Sequence, residues 1–250
     1  MTSIISASSY DWKILGQSCQ IDTFRNKAHD WIIQAHRAKA PMVHIALLGD
    51  SIFDNAPYVP NGAPVIEHLR QHLPVAWQAS LLAKDGSTTA GIPDQLGQLA
   101  ESITHIALSV GGNDALQSSG ILAQPANSVG DALNTFAVAL AQFRTRYQQV
   151  LAATLAFGKP LVVCTIYDAV PLLEPAKLAA LALFDDVIIR EAATQGVPII
   201  DLRGVCDESS DFSSVSPIEP SDTGGAKIAS AIAHVVRGHP FSVRYSTIYV

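Results

Sequence analysis

Charge is scarce in this sequence. Asp, Glu, Lys and Arg make up only 15% of it, too little to keep a chain solvated and unfolded. The charge that is present runs negative, with 16 Lys and Arg against 22 Asp and Glu and a net of −6. No local Lys/Arg cluster reverses that balance. This excludes a general nucleic-acid binder, which needs a basic face to displace counterions from phosphates. Cysteine is sparse too. Cys19, Cys164 and Cys206 share no short spacing, which excludes a disulfide framework and a zinc signature. They read as small buried hydrophobes in a reducing compartment. The longest apolar stretches, such as residues 42–48, fall far short of the roughly 20 residues a bilayer requires. No membrane span is expected. Residues 1–20 lack a basic stretch followed by an apolar one, so no secretory signal is expected and a cytoplasmic location is the default.

Apolar residues are plentiful, at 48% of 250, enough for one large α/β domain with a sizeable core. Phe24, Ala28, Trp31, Ile32 and Ala35 recur at helical spacing. With Asp22 as a cap and Pro41 as a stop, they predict a helix over 21–40. Short apolar runs then alternate with helical patterns. Strands are predicted near 43–48, 103–110, 160–166 and 197–201, with a weaker one near 75–83. Helices are predicted near 65–72, 92–101, 129–157, 172–195 and 223–236. Alternation of this kind favours right-handed crossovers and a five-stranded parallel sheet covered on both faces. The expected layout is an N-terminal extension over 1–41 with one helix packed on the domain, a domain over 42–237 and a tail over 238–250. The tail alternates Ser, Val, Tyr and Ile, which suits either an edge strand or a junction with a partner chain. The oligomeric state is not readable.

In open parallel sheets, ligands bind just beyond the C-terminal ends of the strands. Those ends carry Gly49-Asp50-Ser51, then Asp85-Gly86-Ser87-Thr88-Thr89, then Gly111-Gly112-Asn113-Asp114, then Tyr167-Asp168. A long polar loop, 203–221, follows the fifth. Acyl transfer through serine needs an exposed hydroxyl at a tight turn, a base to take its proton, and donors facing the developing oxyanion. Ser51 follows a buried strand and a turn-permitting glycine. Asn113 can present an amide to the same crevice, and Gly86 an unobstructed N–H.

In order, these blocks resemble the SGNH (GDSL-type) hydrolase family over roughly residues 42–237. Leu-Leu-Gly-Asp-Ser-Ile (47–52) resembles the block that supplies the nucleophile. Asp-Gly-Ser-Thr-Thr (85–89) resembles the block whose glycine donates an N–H, and Leu-Ser-Val-Gly-Gly-Asn-Asp (108–114) the block whose asparagine completes the oxyanion hole. The resemblance implies a flavodoxin-like three-layer α/β/α sandwich, a serine esterase acting through an acyl-Ser51 intermediate, and oxyanion roles for Gly86 and Asn113. It implies no cofactor. Ser-Pro-Ile-Glu-Pro-Ser (216–221) resembles the last block, Asp-x-x-His, with a double departure: Ser216 stands at the aspartate position and Glu219 at the histidine position.

A carboxylate is an intrinsically weaker base than imidazole, so Glu219 as base predicts a pH optimum shifted toward acid. Burial, or like-charge repulsion from Asp222, would raise its proton affinity. Of eight histidines, only His68 and His72, on the helix after the Ser51 loop, are placed to serve as alternatives; His44 and His105 begin strands, at the far end from Ser51. Asp50, Asp54 and Asp114 could cluster around the Ser51 turn as cation ligands, but Asp50 and Asp114 are read instead as acceptors that fix the two turns. Gly224-Gly225 lack the Lys-Ser/Thr of a phosphate loop and are read as letting the last helix pack close to the Ser51 loop. The resemblance implies a small-molecule ester or acyl compound as substrate. The competing expectation is a catalytically disabled scaffold that binds an ester, acyl or amine-bearing molecule. A Glu219 turned away, or locked to a cation such as Arg203, would favour it.

Overall fold

The end of the first strand is set by one residue that cannot be anything but glycine. Gly49 has φ +138°, and a Cβ there would lie 1.8 Å from the carbonyl oxygen of Ser109 on the neighbouring strand. The computed structural model describes residues 42–250 as one compact unit. The helix expected over 21–40, together with Cys19, His29 and His36, lies outside the described residues.

Among the described residues six strands form the sheet: β1 (His44–Gly49), β2 (Gln78–Leu81), β3 (His105–Ser109), β4 (Leu161–Cys164), β5 (Ile199–Ile200) and β6 (Ile248–Tyr249). The order is β2-β1-β3-β4-β5-β6, and every pairing is parallel. This corrects the expectation of five strands. The sixth comes from the C-terminal segment, where Ile248 pairs with Ile199 and Tyr249 with Ile200. Two residues of pairing leave almost no hydrophobic run, so the edge strand has little signature beyond its alternation.

The helices are α1 (Val65–His72), α2 (Ile92–Leu96), α3 (Gly112–Ser118), α4 (Val129–Leu155), α5 (Pro175–Thr194), α6 (Leu202–Val205) and α7 (Asp222–Gly238). Strand side chains alternate between the faces. Ile45, Leu47, Val162 and Ile200 meet α1 and α7 through Val65, Leu69, Ile228 and Ile232. Ala46, Leu48, Leu108 and Val163 meet α2, α4 and α5 through Ile92, Phe143, Tyr147 and Ile188. The result is a three-layer α/β/α sandwich. Two helices escape the sequence reading. Residues 111–114, for which no helix is predicted, open α3, and α6 starts the segment read as a long loop. Both are too short to show a helical period.

Candidate active site

Four chain segments converge beyond the C-terminal ends of β1, β3 and β4. The first is the turn after β1. Gln95 of α2 clamps Gly49 from the side, accepting its N–H and donating to its carbonyl, each at 2.8 Å. Asp50 N–H then reaches back to Ser109 O, and Asp50 O accepts the N–H groups of Phe53 and Asp54. Ser51 is thereby held in a tight turn, only 7% exposed, in the wall of a cavity of about 140 Å³. Nothing in the sequence marks the Gln95 clamp, because a lone Gln in a helix carries no signal of what it faces.

The second segment is α3, which starts from Gly111 at φ +132°. Asn113 lines the cavity. One of its two amide hydrogens goes to Ser87 O at 3.0 Å, which orients the amide and leaves the other hydrogen to donate. Asp114 accepts both the N–H (2.9 Å) and the hydroxyl (2.7 Å) of Thr89, tying α3 to the loop after β2. Asp54 accepts Asp85 N–H at 2.9 Å, tying the Ser51 turn to the same loop. Gly86, in that loop, has φ +74°. It is exposed and not part of the cavity wall, and its N–H makes no hydrogen bond among the described residues.

The third segment carries Glu219 and is pinned on every side. Its N–H closes a turn onto Ser216 O at 3.0 Å, and its carbonyl accepts Ser213 N–H at 2.8 Å. Asn55 donates to Pro220 O at 3.1 Å while accepting Val65 N–H at 2.9 Å. From the fourth segment, after β4, the buried Tyr167 hydroxyl donates to Ile218 O at 2.7 Å. Ser221 caps α7 by accepting Gly224 N–H. A Cβ on Gly224 would lie 2.1 Å from Asp211 O, and Gly225 packs on Val65, His68 and Asn55. The two glycines therefore fit α7 against Asp211 and α1, and Gly225 also meets Asn55 of the Ser51 loop. Ser216 contributes its carbonyl to the turn and is not part of the cavity wall.

The structure brings Ser51, Glu219, Asn113 and Asp50 together in the wall of one cavity. Glu219 is 5% exposed, and its Oε2 is buried without a hydrogen-bond partner. Burial pushes its carboxyl up to about 7; the neighbouring Ser51 hydroxyl works against the rise and the charge of Asp85 adds to it. Asp222 plays no part in that shift: it accepts Ala63 N–H at 2.8 Å and pairs with His68 Nε2 at 2.9 Å. Arg203 is taken by Asp201, with contacts at 2.7 and 2.6 Å. Neither His68 nor His72 is part of the cavity wall. The rest of the wall is mainly apolar, with Leu116, Leu122, Phe136, Leu181 and Phe184 prominent. Among the described residues no cluster of three or more His, Cys, Asp or Glu could hold a metal ion. No helix of the described residues is long and apolar enough to cross a membrane.

Residues 47–226 match the GDSL-like Lipase/Acylhydrolase family. No curated protein matches the chain. Among solved structures, LAE5, an α/β hydrolase enzyme from the metagenome of Lake Arreo in Spain, is 17% identical with a TM-score of 0.57, covering 78% of this chain and 94% of that one. The extracellular lipase of Streptomyces rimosus is 17% identical with a TM-score of 0.56, covering 77% and 98%. The lipase Lip_vut3 from a goat rumen metagenome is 16% identical with a TM-score of 0.58, covering 79% and 98%. At these identities the likeness establishes a shared fold.

Proposed function

The chain belongs to the GDSL-like lipase/acylhydrolase family, and we propose that it hydrolyses small-molecule esters through an acyl-Ser51 intermediate with Glu219 as the general base. The observation that carries this reading is the shared cavity: a serine at the tip of a buried strand beside a carboxyl group whose proton affinity burial has raised to about 7. A base works best when its pKa lies near the working pH. Burial therefore supplies Glu219 with what an exposed carboxylate lacks.

The steps follow from these groups. Glu219 takes the Ser51 proton as Oγ attacks the ester carbonyl. The oxyanion that forms is met by the free amide hydrogen of Asn113, with the unengaged Gly86 N–H as a second donor when substrate covers that loop. As the carbonyl re-forms, Glu219 returns the proton to the departing alcohol. A water then gives a proton to Glu219 and attacks the acyl group, and Ser51 leaves with that proton. The apolar wall suits the acyl side of the substrate. The alternative of a disabled binding scaffold has less support, because Glu219 is neither turned out of the cavity nor neutralised by Arg203.

The experiment is turnover of p-nitrophenyl acetate and butyrate by the wild type and by Ser51→Ala. Activity that disappears in Ser51→Ala supports the reading. An inert wild type, or turnover that survives the substitution, removes it.

A further inference from the structure

Asp50 stands one residue before Ser51 with its carboxyl in the wall of the same cavity, and no step of the proposed reaction uses it. It is 1% exposed. Oδ1 accepts the Ile52 N–H at 3.1 Å, and Oδ2 lies 3.8 Å from where a Cβ on Gly112 would be. The titratable groups that face it are Glu219 from the loop before α7, Asp114 from α3, Tyr167 from the segment after β4 and Cys164 of β4. Among the described residues, no Lys, Arg or His pairs with Asp50 or Glu219. The nearby Arg146 lies 3.7 Å from Asp114.

Two buried carboxyl groups thus share one mainly apolar cavity, and the single cation of its wall, Lys177, pairs with Glu174 at 3.4 Å and with neither of them. Ionising both would set like charges against each other where water cannot screen them, so one retains its proton. Asp50 is the more completely buried of the two and is repelled by both Glu219 and Asp114. Glu219 has the Ser51 hydroxyl beside it to favour its charged form.

We propose that Asp50 works as a neutral carboxylic acid, so that Ser51 reacts in a cavity whose wall carries a single negative charge, that of Glu219. The inference rests on the Ser51–Glu219 reading of the active site. Asp50 is then a positioning residue: it holds the Ser51 turn through Ile52 N–H while keeping a second charge away from the oxyanion. Burial pushes the Asp50 carboxyl up to about 8 and the Glu219 carboxyl up to about 7. The active form has Glu219 ionised and Asp50 protonated. Acid removes the first and alkali the second, so activity follows a narrow bell. An ionised Asp50 opposes the developing oxyanion at short range, and the expected loss on the alkaline side is about tenfold or more.

The test is kcat/KM against pH, from about pH 5 to 10, for the wild type and Asp50→Asn, each corrected with Ser51→Ala. The wild type is expected to give a bell. Asp50→Asn is expected to keep the acid limb and lose the alkaline one, whatever its absolute rate. A bell that persists in Asp50→Asn, or a wild type with Ser51-dependent turnover and no alkaline fall, overturns the inference and leaves the Ser51–Glu219 reading standing. A second measurement needs neither turnover nor the Asp50 variant. Carboxyl-carbon NMR of Ser51→Ala is expected to show Asp50 titrating near 8, and at lower pH once Glu219→Gln is added. An Asp50 midpoint in the ordinary carboxylate range overturns the inference even if the wild type proves inert.

Discussion

Glu219→Gln keeps the size of the side chain and its place in the turn held by Ser216 and Tyr167, and removes only its capacity to take a proton. A positioned general base is worth roughly 10²- to 10⁴-fold, so kcat/KM is expected to fall by about that factor. The pH profile gives a sharper number. With its carboxyl raised from 4.5 to about 7, about half of Glu219 is ionised at neutral pH and about a tenth one pH unit lower. Wild-type kcat/KM should therefore drop about fivefold between pH 7 and 6. An exposed Glu would leave the rate nearly flat over that interval. Relative to such a Glu, the shift makes proton acceptance more favourable by on the order of 3 kcal/mol, which puts the expected acid limb near neutral pH instead of in the range of an exposed carboxylate. The assay is p-nitrophenyl butyrate turnover by both proteins across this range, with Ser51→Ala as background. A wild-type rate unchanged between pH 6 and 7, or a Glu219→Gln enzyme within about fivefold of wild type, refutes the reasoning.

Three further changes follow from contacts around the site. Asp85→Asn removes a charge that raises the Glu219 carboxyl, so the acid limb should move to lower pH by a few tenths of a unit; movement the other way, in the same pH titration, counts against the assignment. Tyr167→Phe deletes the 2.7 Å hydrogen bond to Ile218 O, and denaturant titration should read a loss of about 1 kcal/mol. Because that bond steadies the Glu219 turn, kcat should fall more than KM rises. Gly49→Ala forces a Cβ into Ser109 O at a φ that L-residues avoid. The expected loss of several kcal/mol is a large share of a domain's stability, measurable as a drop in Tm; a Tm within about 2 °C of wild type would contradict it.

Most of the sheet is visible in the sequence because β1, β3 and β4 are buried on both faces and read as continuous apolar runs. The limits of elements are harder. The predicted strand over 75–83 shrinks to Gln78–Leu81, with Val75 fully exposed at the preceding turn. The helix predicted over 92–101 stops at Leu96, before Gly97. The missing sixth strand is instructive. The alternation of the tail suits an edge strand, but its pairing with Ile199 and Ile200 depends on where the chain after α7 returns, a tertiary fact the alternation does not encode.

The site divides along the same line. Residues fixed by backbone turns at strand ends are legible as candidates: Ser51 after Gly49, and Asn113 after Gly111-Gly112. What their surroundings do to them is not. The sequence shows that a carboxylate stands at position 219; only packing shows that Oε2 is buried without a partner, that Asp85 rather than Asp222 raises its proton affinity, and that Asp222 is occupied by His68. Asp50 illustrates the point most fully. As part of a Gly-Asp-Ser turn it reads as a loop acceptor, and its bond to Ile52 N–H is just that. Its second property, a proton retained beside Ser51, arises mainly from burial, and the charge of Glu219, brought into the same cavity from a distant loop, adds to it. With histidine at 219 that contribution would be absent, since an imidazole is neutral or positive. A single exchange of histidine for glutamate at that position would therefore change two residues chemically, and the pH profile of Asp50→Asn is where the second change becomes measurable.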